Sequence, residues 1–392
     1  MLNLIFFLIV IGVIVLVHEF GHFTAAKLLG IKVEAFAIGF GLPPKLFFGW
    51  NGTLFSFKKG ETEYKINVLP LGGYVKLAGE GEYEEKQVHD PRDFEIQPWW
   101  KKLIVSVAGV VMNFILGALL YTVFLAHFSF VQYIPQVAPN NFPFGTTSTV
   151  VAFETDTTDP SSPIAKFHLP DTYVLNSIDG HTIHSALQAQ TLILGDKGKE
   201  THIIFSNSVG ENPRTIVLVP RVKPPQGKGS IGIALLQETR IAFTGSAKPV
   251  AGIMYSVDIT QYNVSALSYL IGQAVATKTP SVVTKNLTGP IGVYEITGAV
   301  VSSGGVWGLI NLVAVLSLAV AIMNILPLPV LDGGLAVIIL IEAIIRKPIN
   351  ANVKNWIGNI GFFLLIILFI YICYNDISNF NVIHQITSLF HK

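Results

Sequence analysis

Four long apolar runs decide what this chain can become. Residues 1–17 (MLNLIFFLIVIGVIVLV) contain no Asp, Glu, Lys or Arg, and neither do residues 103–128, 306–331 or 357–374. Each is about long enough to cross a hydrocarbon core of ~30 Å. The composition agrees. The chain is 51% hydrophobic and 13% charged, against about 25% charged in soluble domains. That leaves too little polar surface to cover a water-soluble globule of 392 residues. The net charge of +1 shows none of the basic excess that a nucleic-acid partner requires. The single cysteine, Cys373, can form neither an internal disulfide nor a cysteine metal cage.

The first run has no basic leader and no small-residue cleavage site, so it reads as a transmembrane helix ending in His18 and Glu19 rather than a signal peptide. The apolar stretch 335–345 is too short to span alone. It reads as a half-helix after a break at Pro327, Pro329, Gly333 and Gly334. Arg346, Lys347 and Lys354 place the loop between the third and fourth segments in the cytoplasm. Both termini and residues 129–305 then lie outside, and residues 24–102 inside.

Between the spans the sequence changes character. Residues 53–77 alternate apolar and polar side chains around a Lys-Gly-Glu turn and predict one or two β-hairpins. The acidic stretch GEGEYEE (79–85) reads as a solvated loop. Residues 150–236 hold short β-branched runs divided by Gly, Pro, Asn and Asp, which predict a small β-rich domain. Residues 245–305, of intermediate polarity, predict amphipathic helices at the outer membrane surface. The Asn263 and Asn286 sequons are short, frequent patterns and carry no weight here.

His18-Glu19-Phe20-Gly21-His22 carries the sharpest chemistry. On a helix, i and i+4 share one face, so two imidazoles can reach one metal ion, with the glutamate beside them to reach a bound water. Ionisable groups at the end of an apolar helix are costly without partners, and a divalent cation is such a partner. A catalytic zinc takes three protein ligands and keeps a fourth position open. The candidates for the third are Asp332 and Glu342. Asp332 is favoured because two prolines and two glycines break the helix there, and broken backbone at membrane depth lines cavities. Its alternative role is an N-cap on the following half-helix. Glu342 reads as a surface residue at the cytoplasmic end.

The HEFGH helix, GFGLPPKLF (39–47), GPIGV (289–293) and NILPLPVLDGG (324–334), in this order, resemble the bacterial site-2 proteases of the RseP/RasP type. The stretch 162–183 resembles a PDZ domain, with Asp171 near the usual Gly-Asp turn but without its glycine. The resemblance implies a multi-pass α-helical membrane protein with about four transmembrane helices, membrane-associated β-hairpins and one extracytoplasmic PDZ-like domain. It implies an intramembrane zinc metalloprotease of the plasma membrane, with Zn2+ held by His18, His22 and Asp332, Glu19 as catalytic base and Asn324 holding substrate. Two positions depart from the family pattern. Leu335 stands where the family usually has His, and residues 108–113 read Ala-Gly-Val-Val-Met-Asn instead of Ala-Gly-Pro-x-x-Asn.

The expected organisation is a membrane domain over 1–128, a PDZ-like domain over 129–244, amphipathic helices over 245–305 and a second membrane domain over 306–392. Expected partners are transmembrane-helix substrates and the lipid bilayer, with the chain a monomer. Two rival readings are a silent scaffold with a peptide-binding outer domain and a metal transporter. Many transporters are built from internal repeats, and none is evident here.

Overall fold

The computed structural model describes residues 2–42, 51–80, 90–136, 142–156, 158–169, 172–207, 212–279, 281–284 and 288–379. Asp171, Asn286, residues 43–47 of the GFGLPPKLF motif and 81–85 of the acidic stretch lie outside them. The chain divides into two compact units, residues 1–121 with 270–392, and residues 122–269. Contacts rather than composition set these limits. They fall away from the expected breaks at 128/129, 244/245 and 305/306.

In the first unit, α1 (Leu2–Leu28) does not end at the ionisable residues. It continues ten residues past His18, because HEFGHFTAAKL holds no proline and its one glycine, Gly21, is tolerated, and it ends where Gly30 takes a positive φ. The polar motif therefore sits inside a continuous helix. A four-stranded sheet packs against that stretch: β1 (Val33–Phe40), β2 (Thr53–Lys59), β3 (Thr62–Asn67) and β4 (Leu69–Leu77), in the order β2-β3-β1-β4. The predicted hairpin over β2 and β3 is present. The second half of 53–77 departs from a hairpin: β4 pairs with β1, and β3 runs parallel to β1. Strand β1 carries strict alternation of buried and half-buried residues, as a one-sided sheet requires. Ala26, Ile31, Val33, Leu77, Phe94 and Val105 form the core between helix and sheet.

Helix α2 (Trp99–His127) lies against α1 at Gly21, where an added Cβ would stand 2.5 Å from the Ala108 carbonyl oxygen. The chain then passes through α3 (Ala186–Gly195), α4 (Ala251–Thr277) and the short α5 (Ser281–Thr284). It returns as α6 (Pro290–Ser303), α7 (Gly305–Ile325), α8 (Asp332–Ile345) and α9 (Ala351–Asn379). Among the described residues, four helices are long and apolar enough to cross a membrane: α1, α2, α7 and residues 352–378 of α9. The third apolar run stops at Ile325, and its remainder forms the Leu-Pro-Leu-Pro break. The GPIGV segment starts α6. The buried Asp376 carboxylate, from α9, accepts hydrogen bonds from the Gly289 and Gly292 amides at 3.1 and 2.8 Å. A helix start that lacks its own side-chain cap is thus satisfied by a neighbouring helix.

Glu342 is not the surface residue expected. It is 9% exposed on α8, 2.7 Å from Lys354 and 3.6 Å from Lys102, and it accepts the Ile349 amide at 2.9 Å. Its partners come from α2 and α9, so no local pattern announces the burial.

The second unit is built on β5 (Val131–Pro135), β6 (Thr146–Thr155), β7 (Tyr173–Ile178), β8 (His181–Thr182), β9 (Thr201–Ser206), β10 (Arg214–Leu218) and β11 (Ile233–Ala242). The sheet order is β10-β9-β7-β6-β11-β5, with β8 paired to β7. Its core joins Phe153, Tyr173, Leu175 and Phe205 of the strands to Ala189 and Ile193 of α3. Ser185 caps α3 by accepting the Gln188 amide.

Candidate metal centre

His18 and His22 lie one turn apart on α1, as their spacing requires. The ring of His22 is fixed by its Nδ1, 2.7 Å from the backbone carbonyl of Val105 on α2. A carbonyl only accepts, so Nδ1 carries the hydrogen and Nε2 presents a bare lone pair. That lone pair points at His18 Nε2, 3.3 Å away, and at Asp332 Oδ2, also 3.3 Å away. The third edge, His18 Nε2 to Asp332 Oδ2, is 3.1 Å.

The break between α7 and α8 delivers Asp332. The two prolines end α7, and Val330 sits at φ 79°, a conformation costly for a β-branched residue. Gly333 and Gly334 let the first turn of α8 press onto the loop. A Cβ on Gly333 would stand 2.2 Å from the Ile325 carbonyl oxygen, and one on Gly334 2.1 Å from that of Leu328. Asp332 is the first helical residue of α8 and caps nothing; Leu331 holds the N-cap position. Its carboxylate faces the imidazoles.

Three ligand atoms at mutual distances of 3.1–3.3 Å suit a tetrahedral cation. Ligands at 2.0–2.1 Å from zinc in a tetrahedral set stand about 3.3 Å apart. The chemistry of the set agrees: a lone pair facing a carboxylate oxygen is repulsive until a cation lies between them. Asp332 Oδ2 is buried and otherwise without a hydrogen-bond partner.

Glu19 lines the same cavity, of about 180 Å³, with His18, His22, Tyr74, Val75 and Asp332. It is room for several waters. Leu335, where the resemblance would place His, also lines it. The Val75 amide faces the Glu19 carboxylate, so the edge of β4 away from β1, with which no strand among the described residues pairs, opens on the cavity. Asn324 stands half-buried on the last turn of α7 and is not among the lining residues. Glu342 belongs to the ion cluster described above and takes no part.

Sequence reasoning gave no role to Gly109, Asn113 or the Val105 carbonyl. Yet Gly109 and Asn113 are spaced i, i+4 on α2, and that shared face was a readable signal. A Cβ on Gly109 would meet His22 Nε2 at 2.4 Å and His18 Cε1 at 2.7 Å. Asn113 is fully buried against His18.

The chain matches the family model described as Peptidase family M50 over residues 6–368. A Clostridium perfringens protein named "Putative zinc metalloprotease" is 30% identical over 95% of this chain and 98% of its own length. A Clostridium acetobutylicum protein with that printed name is 28% identical, over 96% and 97%. Metalloprotease MmpA of Caulobacter vibrioides is 26% identical, over 100% and 99%. With its motifs in the order of the site-2 proteases and its match running nearly end to end, the chain belongs to peptidase family M50.

Proposed function

We propose that this protein is an intramembrane endopeptidase that cuts the transmembrane helices of single-pass membrane proteins, with zinc held by His18, His22 and Asp332 and with Glu19 as general base. Membership of M50 makes it a zinc metalloendopeptidase of the membrane; the ligand set and the cut within the bilayer are the reading offered here. The observation that carries it is the triangle of donor atoms, 3.1–3.3 Å on each side, with two of its corners on a helix apolar enough to span a membrane, the third at the start of α8 and the Glu19 carboxylate in the same cavity.

His18, His22 and Asp332 would hold a zinc ion whose chemistry would be to polarise the scissile carbonyl and to lower the pKa of a bound water toward ~7. Glu19 takes up the proton released there and delivers it to the departing amine nitrogen. Val105 keeps His22 in the tautomer that ligates. A substrate helix hides its peptide bonds in the i to i−4 ladder and must unwind first, and its freed polar groups then need partners. The β segment 53–77 supplies them by accepting the substrate as an added strand. Of the two end strands, β4 lines the cavity and β2 does not, which supports β4. Asn324 holds substrate, as the resemblance implies.

Glu19→Gln tests the reading. The variant is expected to keep one zinc per chain and to cleave a reporter transmembrane helix at least about 100-fold more slowly. Full cleavage by the variant would overturn the role of Glu19. A purified wild-type protein without stoichiometric zinc would favour the scaffold. Strand addition is tested by oxidative cross-linking in a Cys373→Ser background. A cysteine replacing Lys76 is expected to capture a cysteine near the cut site of the substrate, and one replacing Phe55 on β2 is not. Capture only at Phe55 would move the substrate to the other edge.

Residues 129–244 form the PDZ-like domain on the extracytoplasmic side in this reading. A cavity of about 530 Å³ between α3 and β11, lined by Leu187, Leu194, Ile233 and Leu235, supports capture of a peptide end. β5 pairs with β11 only from Glu238 onward and the Gln136 amide donates to the Gln237 carbonyl, so among the described residues no strand pairs with this edge at 233–236.

A further inference from the structure

The two imidazoles of the centre are held differently at their outer nitrogens. His22 Nδ1 meets a backbone carbonyl, which can only accept. His18 Nδ1 meets the side-chain amide of Asn113 at 3.3 Å, which can donate or accept. Asn113 is fully buried on α2, and the Ser317 hydroxyl, from α7, donates to its backbone carbonyl at 2.8 Å. With Nδ2 toward His18, the amide would donate to Nδ1. The imidazole hydrogen would then sit on Nε2, the atom that faces Asp332 Oδ2 at 3.1 Å. In that tautomer His18 cannot ligate. Meanwhile Asn113 Oδ1 is buried without a hydrogen-bond partner.

An amide is nearly symmetric in shape, so turning it by 180° costs little packing. Oδ1 then takes the place of Nδ2 and accepts the hydrogen of His18 Nδ1. The imidazole presents a bare Nε2 lone pair, matching His22. We propose that Asn113 is the positioning residue of His18, accepting its Nδ1–H through Oδ1 when the centre holds its metal. The proposal rests on the assignment of His18, His22 and Asp332 as ligands. Outer partners that fix a metal-binding histidine are worth about 10–100-fold in metal affinity.

The test is zinc affinity of the full-length protein in detergent, by competition with a chelator. Asn113→Leu, which removes the acceptor at similar volume, is expected to weaken zinc about 10–100-fold. Asn113→Asp, which can accept but not donate when ionised, is expected to stay within a few-fold of wild type. Ser317→Ala, which touches only the Asn113 backbone, is expected to leave the affinity within about two-fold. The cobalt-substituted absorption spectrum should shift in Asn113→Leu and be restored in Asn113→Asp, which a mere packing defect would not do. Equal losses in Asn113→Leu and Asn113→Asp would overturn the acceptor role, and so would wild-type affinity in Asn113→Leu. His18→Ala separates the two levels. Zinc retained there at wild-type affinity removes the ligand assignment itself. Zinc lost there but unmoved in Asn113→Leu removes only the role of Asn113.

Discussion

Gly109 occupies the one place on α2 where the helix backbone faces both imidazoles. Its requirement is space, since its missing Cβ would fall 2.4 Å from His22 Nε2 and 2.8 Å from His18 Nε2. A methyl group there cannot be absorbed by rotating a flexible chain end, because His22 is tied to Val105 and both Nε2 atoms are needed in position. Gly109→Ala is therefore expected to lower zinc affinity by at least tenfold while the protein still folds, the small residue being otherwise a better helix former. Zinc titration beside a thermal melt checks it, and a variant with wild-type zinc affinity would show that α2 can retreat. Gly333 and Gly334 do the same work on the other side, holding the α8 start against carbonyls of the preceding loop.

At the level of elements, the buried charges of α2, α8 and α9 show what sequence periodicity could not reveal. Lys102, Lys354, Glu342 and Glu95 form one cluster, with Lys354 and Glu342 each 9% exposed at their side chains. Removing one partner strands the others. Glu342→Leu is expected to cost about 3–5 kcal/mol, whereas Glu342→Leu with Lys354→Met should cost clearly less than the sum of the two single changes. Denaturant or thermal unfolding of the four species measures the coupling, and additive losses would mean the pair is solvated and weak. The helices were legible because their apolar runs are long and contiguous, and the histidine pair was legible because its spacing is local. The candidate third ligand was narrowed to two carboxylates, Asp332 and Glu342, by the scarcity of ligating residues near membrane depth, and the broken backbone favoured Asp332. The burial of Glu342 was not legible, since it depends on lysines 240 and 12 positions away. The parallel pairing of β1 with β3, and of β4 with β1, was equally hidden: alternation predicts a strand but not its neighbour.

Over the whole molecule, two units with different solvents must be stable in one chain, and the second unit carries an unusual charge. Asp258, on α4, is fully buried, and neither carboxylate oxygen completes a hydrogen bond, although the Phe144 and Gly145 amides face it. Burial pushes its carboxyl up to about 6, with those amides offsetting part of the rise. In the unfolded chain the group returns to about 3.9. The folded unit thus binds a proton that the unfolded one has released between about pH 4 and pH 6. The stability linked to this proton is full below pH ~4 and is lost as pH rises through ~6; a shift of about two units corresponds to about 3 kcal/mol. Asp258→Asn keeps the shape without the charge. Hydrogen exchange of peptides from 142–155 and 251–269 in the full-length protein, corrected for the intrinsic rate, is expected to show wild-type protection falling between about pH 4 and pH 7. The variant should hold its protection over that range. Subtracting the two profiles isolates this one carboxyl from every other group that titrates nearby. A variant with the same pH profile as wild type would mean that the charge finds a partner or water in the folded unit. The helix carrying Asp258 would then impose no pH limit on the segment it packs against.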